Sequence, residues 1–80
     1  MMKVNARDMA TAYVGEMART TAMLKSKGLP INEEVYGVYC GALYFLERDN
    51  EVGFENYVYD IRNHGTCEER RAIEDIVALF

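Results

Sequence analysis

The chain has 80 residues, half of them apolar, with nine basic and 13 acidic side chains, a formal charge of −4, one His and no Trp. Folding at this size hides only about 60% of the surface the unfolded chain exposes. That excludes a two-domain enzyme, a doubly wound nucleotide-binding fold and a multi-span membrane protein, while a charged fraction of 28% and long apolar runs exclude disorder.

The first helix is expected over residues 6–27. Asn5 serves as N-cap, with Asp8 in the first turn where the helix dipole favours an acid. Its apolar stripe reads Met9/Ala10, Tyr13, Met17, Thr20 and Leu24, at the intervals of a packed seam. Gly28 supplies a left-handed C′ residue, and Leu29-Pro30 prevents continuation. A second helix starts after Asn32, with Ile31 and Tyr36 placed as a hydrophobic staple, and ends near Arg48 before the polar Asp49-Asn50 pair. A third, over residues 51–64, presents Phe54, Tyr57, Val58 and Ile61 on one face and stops at Gly65. The fourth opens on the capping box Thr66-Cys67-Glu68-Glu69 and carries Ile73, Ile76, Val77 and Phe80 to the end of the sequence. The expected fold is therefore all-α: a compact bundle of four helices, one long and N-terminal, one central and apolar, two shorter and C-terminal, in a single domain over residues 1–80.

Lys3, Arg7, Asp8, Glu16 and Arg19 leave no uninterrupted apolar stretch near the N-terminus for a secretory signal. The longest apolar-rich run, Val35 to Leu46, falls well short of the roughly 20 residues that span a bilayer. Cys40 and Cys67 are too few to staple a secreted scaffold and are expected to be free thiols. A cytoplasmic location follows as an expectation. The charge is lopsided: residues 1–31 carry five cations against two acids, a balance of +3, and residues 32–80 carry four arginines against 11 acids, a balance of −7. The plainest reading is a basic first helix lying against an acidic remainder.

The second helix is the informative segment. Val35, Val38, Tyr39, Ala42, Phe45 and Leu46 form one broad face, Tyr36 and Leu43 widen it, and Cys40 and Tyr44 project where a surface helix should be polar. Only Glu33, Glu34, Glu47 and Arg48 are charged, all at its ends. Gly37 and Gly41, four residues apart, form a notch for close helix packing; the expected occupant is the first helix, with its small Gly15, Ala18 and Ala22. Tyr59 projects from the third helix away from the Phe54/Ile61 face. Tyr36, Cys40, Leu43, Tyr44 and Tyr59 are accordingly the candidate partner-binding residues, since tyrosine offers large contact area with a polar tip.

Catalytic chemistry finds little support. Asp60, His64 and Cys67 are the one set with suitable residue types, but nothing in the sequence supplies a pocket or an oxyanion site. His64-x-x-Cys67 with Cys40 lacks the second ligand pair of a structural zinc site, and no glycine-rich phosphate loop occurs. No enzyme activity, metal or cofactor is expected. The sequence points instead to a small protein-binding module, a modulator or inhibitor of a partner protein, acting through its apolar, Tyr-rich surface and self-associating as a dimer. Chains of this size and acidity are frequent among phage- and plasmid-encoded modulators, a prior that rests on size and character alone. The competing reading is a nucleic-acid-linked regulator that uses Arg7, Arg19, Lys25 and Lys27 of the basic first helix on phosphates.

Overall fold

The computed structural model describes residues 5–80, which form four helices and no strand: α1 (Ala6–Ser26), α2 (Glu33–Glu47), α3 (Glu51–His64) and α4 (Cys67–Val77). Each helix begins at a side chain that accepts an otherwise orphaned backbone amide. Asn5 accepts from Asp8, Asn32 from Val35 and Asn50 from Gly53. Thr66 completes the expected capping box: its hydroxyl accepts the Glu69 amide at 3.2 Å, and the Glu69 carboxylate accepts the Thr66 amide at 2.9 Å.

The turns that end α1 and α2 share one geometry. After α1, the Leu29 amide bonds the Leu24 carbonyl and the Gly28 amide bonds the Lys25 carbonyl, with Gly28 at φ 75°. This is the Schellman arrangement. After α2, Asn50 bonds the Phe45 carbonyl and Asp49 the Leu46 carbonyl, and Asp49 takes the left-handed position at φ 53°. Aspartate tolerates that region better than most side chains. Asn50 then caps α3 at once, so α2 and α3 are joined by three residues and must lie as close neighbours.

Helix α2 is central and packs against each of the other three, α3 and α4 also pack on one another, and α1 rests on α2. The core comprises Val14 and Ala18 of α1, Val38, Tyr39, Ala42 and Leu46 of α2, Phe54 and Val58 of α3, and Ala72, Ile73 and Ile76 of α4. Three expectations are corrected. The α1 seam shifts to one flank of the expected stripe: Ala10 is buried and Met17 and Leu24 half-buried as expected, but the centre passes to Val14, Gly15 and Ala18, and Met9, Tyr13 and Thr20 face outward. Small side chains let α1 lie close on α2, and that contact outweighs the larger residues of the other face. Second, α4 ends at Val77, and Phe80 lies beyond it with its ring 5.4 Å from that of Phe54. Third, the glycine notch does not receive α1. At Gly41 the ring of Tyr57 from α3 fills the space, its Cζ 2.5 Å from where a Cβ would stand, while at Gly37 nothing lies within 4 Å of that position. Gly15 of α1 meets α2 on the opposite flank, where a Cβ would stand 3.7 Å from Leu43 Cδ1.

Among the described residues no helix is long and apolar enough to cross a membrane.

Candidate functional site

Two surfaces stand out once the helices are in place. The first is the outward strip of α2. With Val38, Tyr39, Ala42 and Leu46 inward, Gly41 and Phe45 turned to α3 and Leu43 turned to α1, the residues left outside are Gly37, Cys40 and Tyr44, with half-buried Tyr36 beside them. Glu33 and Glu47 close the strip at its two ends. Tyr44 is 53% exposed, its ring set edge-on to Phe45 with the Arg48 guanidinium 3.8 Å from the ring centre. At the other end Lys25 Nζ lies 5.7 Å from the ring of Tyr36 and pairs with Glu33 at 3.2 Å. Each strip tyrosine thus carries a cation on its face, an interaction favoured by the ring quadrupole. The Cys40 thiol beside Tyr36 holds that phenol above its ordinary range.

The second surface is a groove of about 620 Å³ running along α3 and the end of α4. Leu46, Phe54, Val58 and Val77 form its apolar floor, Phe80 and Tyr59 rise at its edges, and Glu51, Glu55, Arg7 and Arg62 supply the charged rim. Glu51, Phe54, Glu55, Val58, Tyr59 and Arg62 recur at helical spacing, so one whole side of α3 faces this groove. Arg7 is fixed there by Glu51 and by Asp49 at 3.4 Å, and Arg62 by Glu74 at 2.5 Å. That pairing holds the Glu74 carboxyl below, and the Arg62 guanidinium above, its ordinary range.

The five candidate partner residues therefore divide. Cys40 and Tyr44 stand together on the α2 strip with Tyr36 at its margin, whereas Leu43 is half-buried against the core and α1. Tyr59 is 66% exposed and belongs to the groove on another side of the molecule. Of the two glycines, Gly41 serves packing inside the chain and Gly37 is open. Sequence reasoning missed the groove because Phe80 was placed on a helix; the signal was there in Val77, three residues before a terminal Phe, opposite the Phe54/Val58 face.

The other constellations stay apart. Asp60, His64 and Cys67 are all exposed, and no hydrogen bond joins them; the Cys67 sulfur instead accepts from Arg70 at 3.6 Å. No group of metal-ligating side chains occurs among the described residues. Both cysteines are free. Along α1, Arg7 is engaged by Asp49 and Glu51, Arg19 by Glu16 at 2.9 Å and Lys25 by Glu33. The basic helix lies against acids of the remainder at both ends and presents no continuous track of free cations.

The four-helix, all-α class is as far as the fold alone identifies the chain. Comparison with protein-family models, with curated proteins and with solved structures finds no match to it.

Proposed function

We propose that this chain is a small protein-binding module that acts as a modulator of a partner protein, and that its first partner is a second copy of itself. One observation carries the reading. The outer strip of α2, between Glu33 and Glu47, is the part of a surface helix where charged side chains normally stand. It holds instead Gly37, Cys40 and Tyr44, with Tyr36 alongside. Tyrosine and small residues on a flat helix face suit a contact that excludes water around a few anchors. The groove beside Tyr59 and Phe80 offers a second, concave surface of the kind that receives the apolar side chains of an amphipathic helix.

Nothing favours phosphate binding by α1 to the same degree, because three of its four candidate cations already face carboxylates. Light scattering over a dilution series of the full chain tests the reading. The expected result is association that holds when salt is raised, because an apolar contact is little screened, and that is lost in Tyr44→Glu and in Cys40→Arg while far-UV circular dichroism stays unchanged. Variants that associate as tightly as the parent contradict it, and an association that weakens steeply with salt points to charge rather than to this surface.

A further inference from the structure

We propose that the groove along α3 and the end of α4 is the docking site for a basic amphipathic helix of a foreign partner protein, which sets apolar side chains on the groove floor and a lysine or arginine on Glu55. The inference rests on the protein-binding reading above and names the partner's chemistry at the second surface.

The groove has the floor that such a segment needs. Its 620 Å³ lies within the roughly 300–1,000 Å³ of ligand pockets. Leu46 of α2, Phe54 and Val58 of α3 and Val77 of α4 line it, so three packed helices hold its shape. The described residues form no strand, so an extended peptide finds no sheet edge to extend. Apolar side chains at helical spacing are the remaining way to fill it.

The outer edge of the groove asks for a cation. Val52 and Tyr59 are the most exposed large apolar side chains among the described residues, at 69% and 66%. They stand seven residues apart on α3 with Glu55 between them, so the three share one side of the helix. A lysine or arginine can lay its apolar stem along Tyr59 and set its charged head on Glu55.

The rest of the rim agrees in sign. Both of its arginines are engaged: Arg62 donates to the two Glu74 oxygens at 2.5 and 3.3 Å, and Arg7 is shared between Asp49 and Glu51. Among the described residues no cation pairs with Glu55. Four carboxylates (Asp49, Glu51, Glu55 and Glu74) thus stand against two guanidinium groups, a balance of −2, with the surplus at the start of α3. The positive end of the α3 dipole, about half an elementary charge, offsets only part of it. An anionic ligand would have to displace a carboxylate already in place. Another copy of the chain, at −4, brings like charge to this rim, and a basic partner brings the opposite.

The test uses the full chain. A phage-displayed library of random peptides about 14 residues long, the usual length of a helix, is selected on the immobilised protein, and recovered peptides are titrated by fluorescence anisotropy at low salt. The expected sequences join apolar residues at i, i+3 or i+4 to a net positive charge. They should bind Glu55→Lys roughly tenfold more weakly than the parent and Tyr59→Ala about fivefold more weakly. Tyr44→Glu should bind them as the parent does, and far-UV circular dichroism should be the same in all, since the three side chains are exposed. Acidic peptides, or peptides that Tyr44→Glu loses and Glu55→Lys keeps, overturn this site while the protein-binding reading stands. Recovery of no peptide overturns it as well, and the light scattering above decides self-association separately. Self-association that Glu55→Lys disrupts would make a second copy the occupant and overturn the foreign partner.

Discussion

The outer strip of α2 and the groove between α3 and α4 are both apolar, yet they are built in opposite ways. The strip is flat, symmetric about Cys40 and without charge between its ends, and its glycine at position 37 is left open. The groove is concave and asymmetric, and its charged rim is tied down by the Arg7 and Arg62 ion pairs. A flat face of tyrosine and small residues suits a broad contact with another protein surface, whereas a concave apolar groove suits an inserted side chain. The contrast shows how a small bundle divides its unburied apolar surface, since a core of this size cannot enclose it all.

The largest expected effect separates the two surfaces outright. Tyr44→Glu or Cys40→Arg should weaken self-association by about 2 kcal/mol or more, roughly 30-fold, as for a central interface residue, whereas Tyr59→Glu in the groove should leave it unchanged. Equal losses from both surfaces would remove the distinction. Next come the glycines. Gly41→Ala forces a methyl against the Tyr57 ring and should destabilise the chain by about 1–3 kcal/mol in denaturant melts. Phe80→Ala should cost about 1 kcal/mol by removing the ring against Phe54 and opening one wall of the groove, with no change in dimer dissociation. Gly37→Ala should act in the other direction: below the concentration at which copies associate, it should stabilise the single chain by roughly 0.5–1 kcal/mol. A destabilised Gly37→Ala monomer would show that Gly37 serves the protomer after all.

The smallest effects lie at the extremes of pH. Burial holds the phenols of Tyr39 and Tyr57 above their ordinary range. A raised folded pKa means that the stability due to these groups is complete below the unfolded value near 10 and is lost as pH rises through the folded value. Thermal melts should therefore fall above about pH 10, less so in Tyr57→Phe. Glu74 has the opposite sign, because the hydrogen bond from Arg62 lowers its pKa. Its contribution is present above the unfolded value near 4.3 and disappears as pH falls through the folded value. In Arg62→Gln that part of the acid limb should vanish.

Much of this architecture was written in punctuation. Asn5, Asn32 and Thr66 read as caps because a short polar side chain before an apolar run has few other uses, and Gly28 read as a left-handed stop. The same turn after α2 was hidden because Asp49, not glycine, adopts it. The α1 seam was misplaced for a different reason. Met9 and Tyr13 are larger than Val14 and Ala18 and could bury more area, but close approach of two helices is set by small side chains, and which face achieves it depends on the neighbour. The notch failed likewise: Gly37 and Gly41 look equivalent in sequence, and only the position of Tyr57 shows that one is filled and the other free. Cys40 and Tyr44 were legible as outward-facing because the charge pattern of α2 stops at its ends.

Thiol labelling of the unmodified chain tests the central claim most directly, because it carries one cysteine on the strip and one, Cys67, at the start of α4. As protein concentration rises, alkylation of Cys40 should slow in step with association while Cys67 reacts at a constant rate. Equal, concentration-independent rates at both thiols would contradict the claim that the outer strip of α2 is a surface made to be covered.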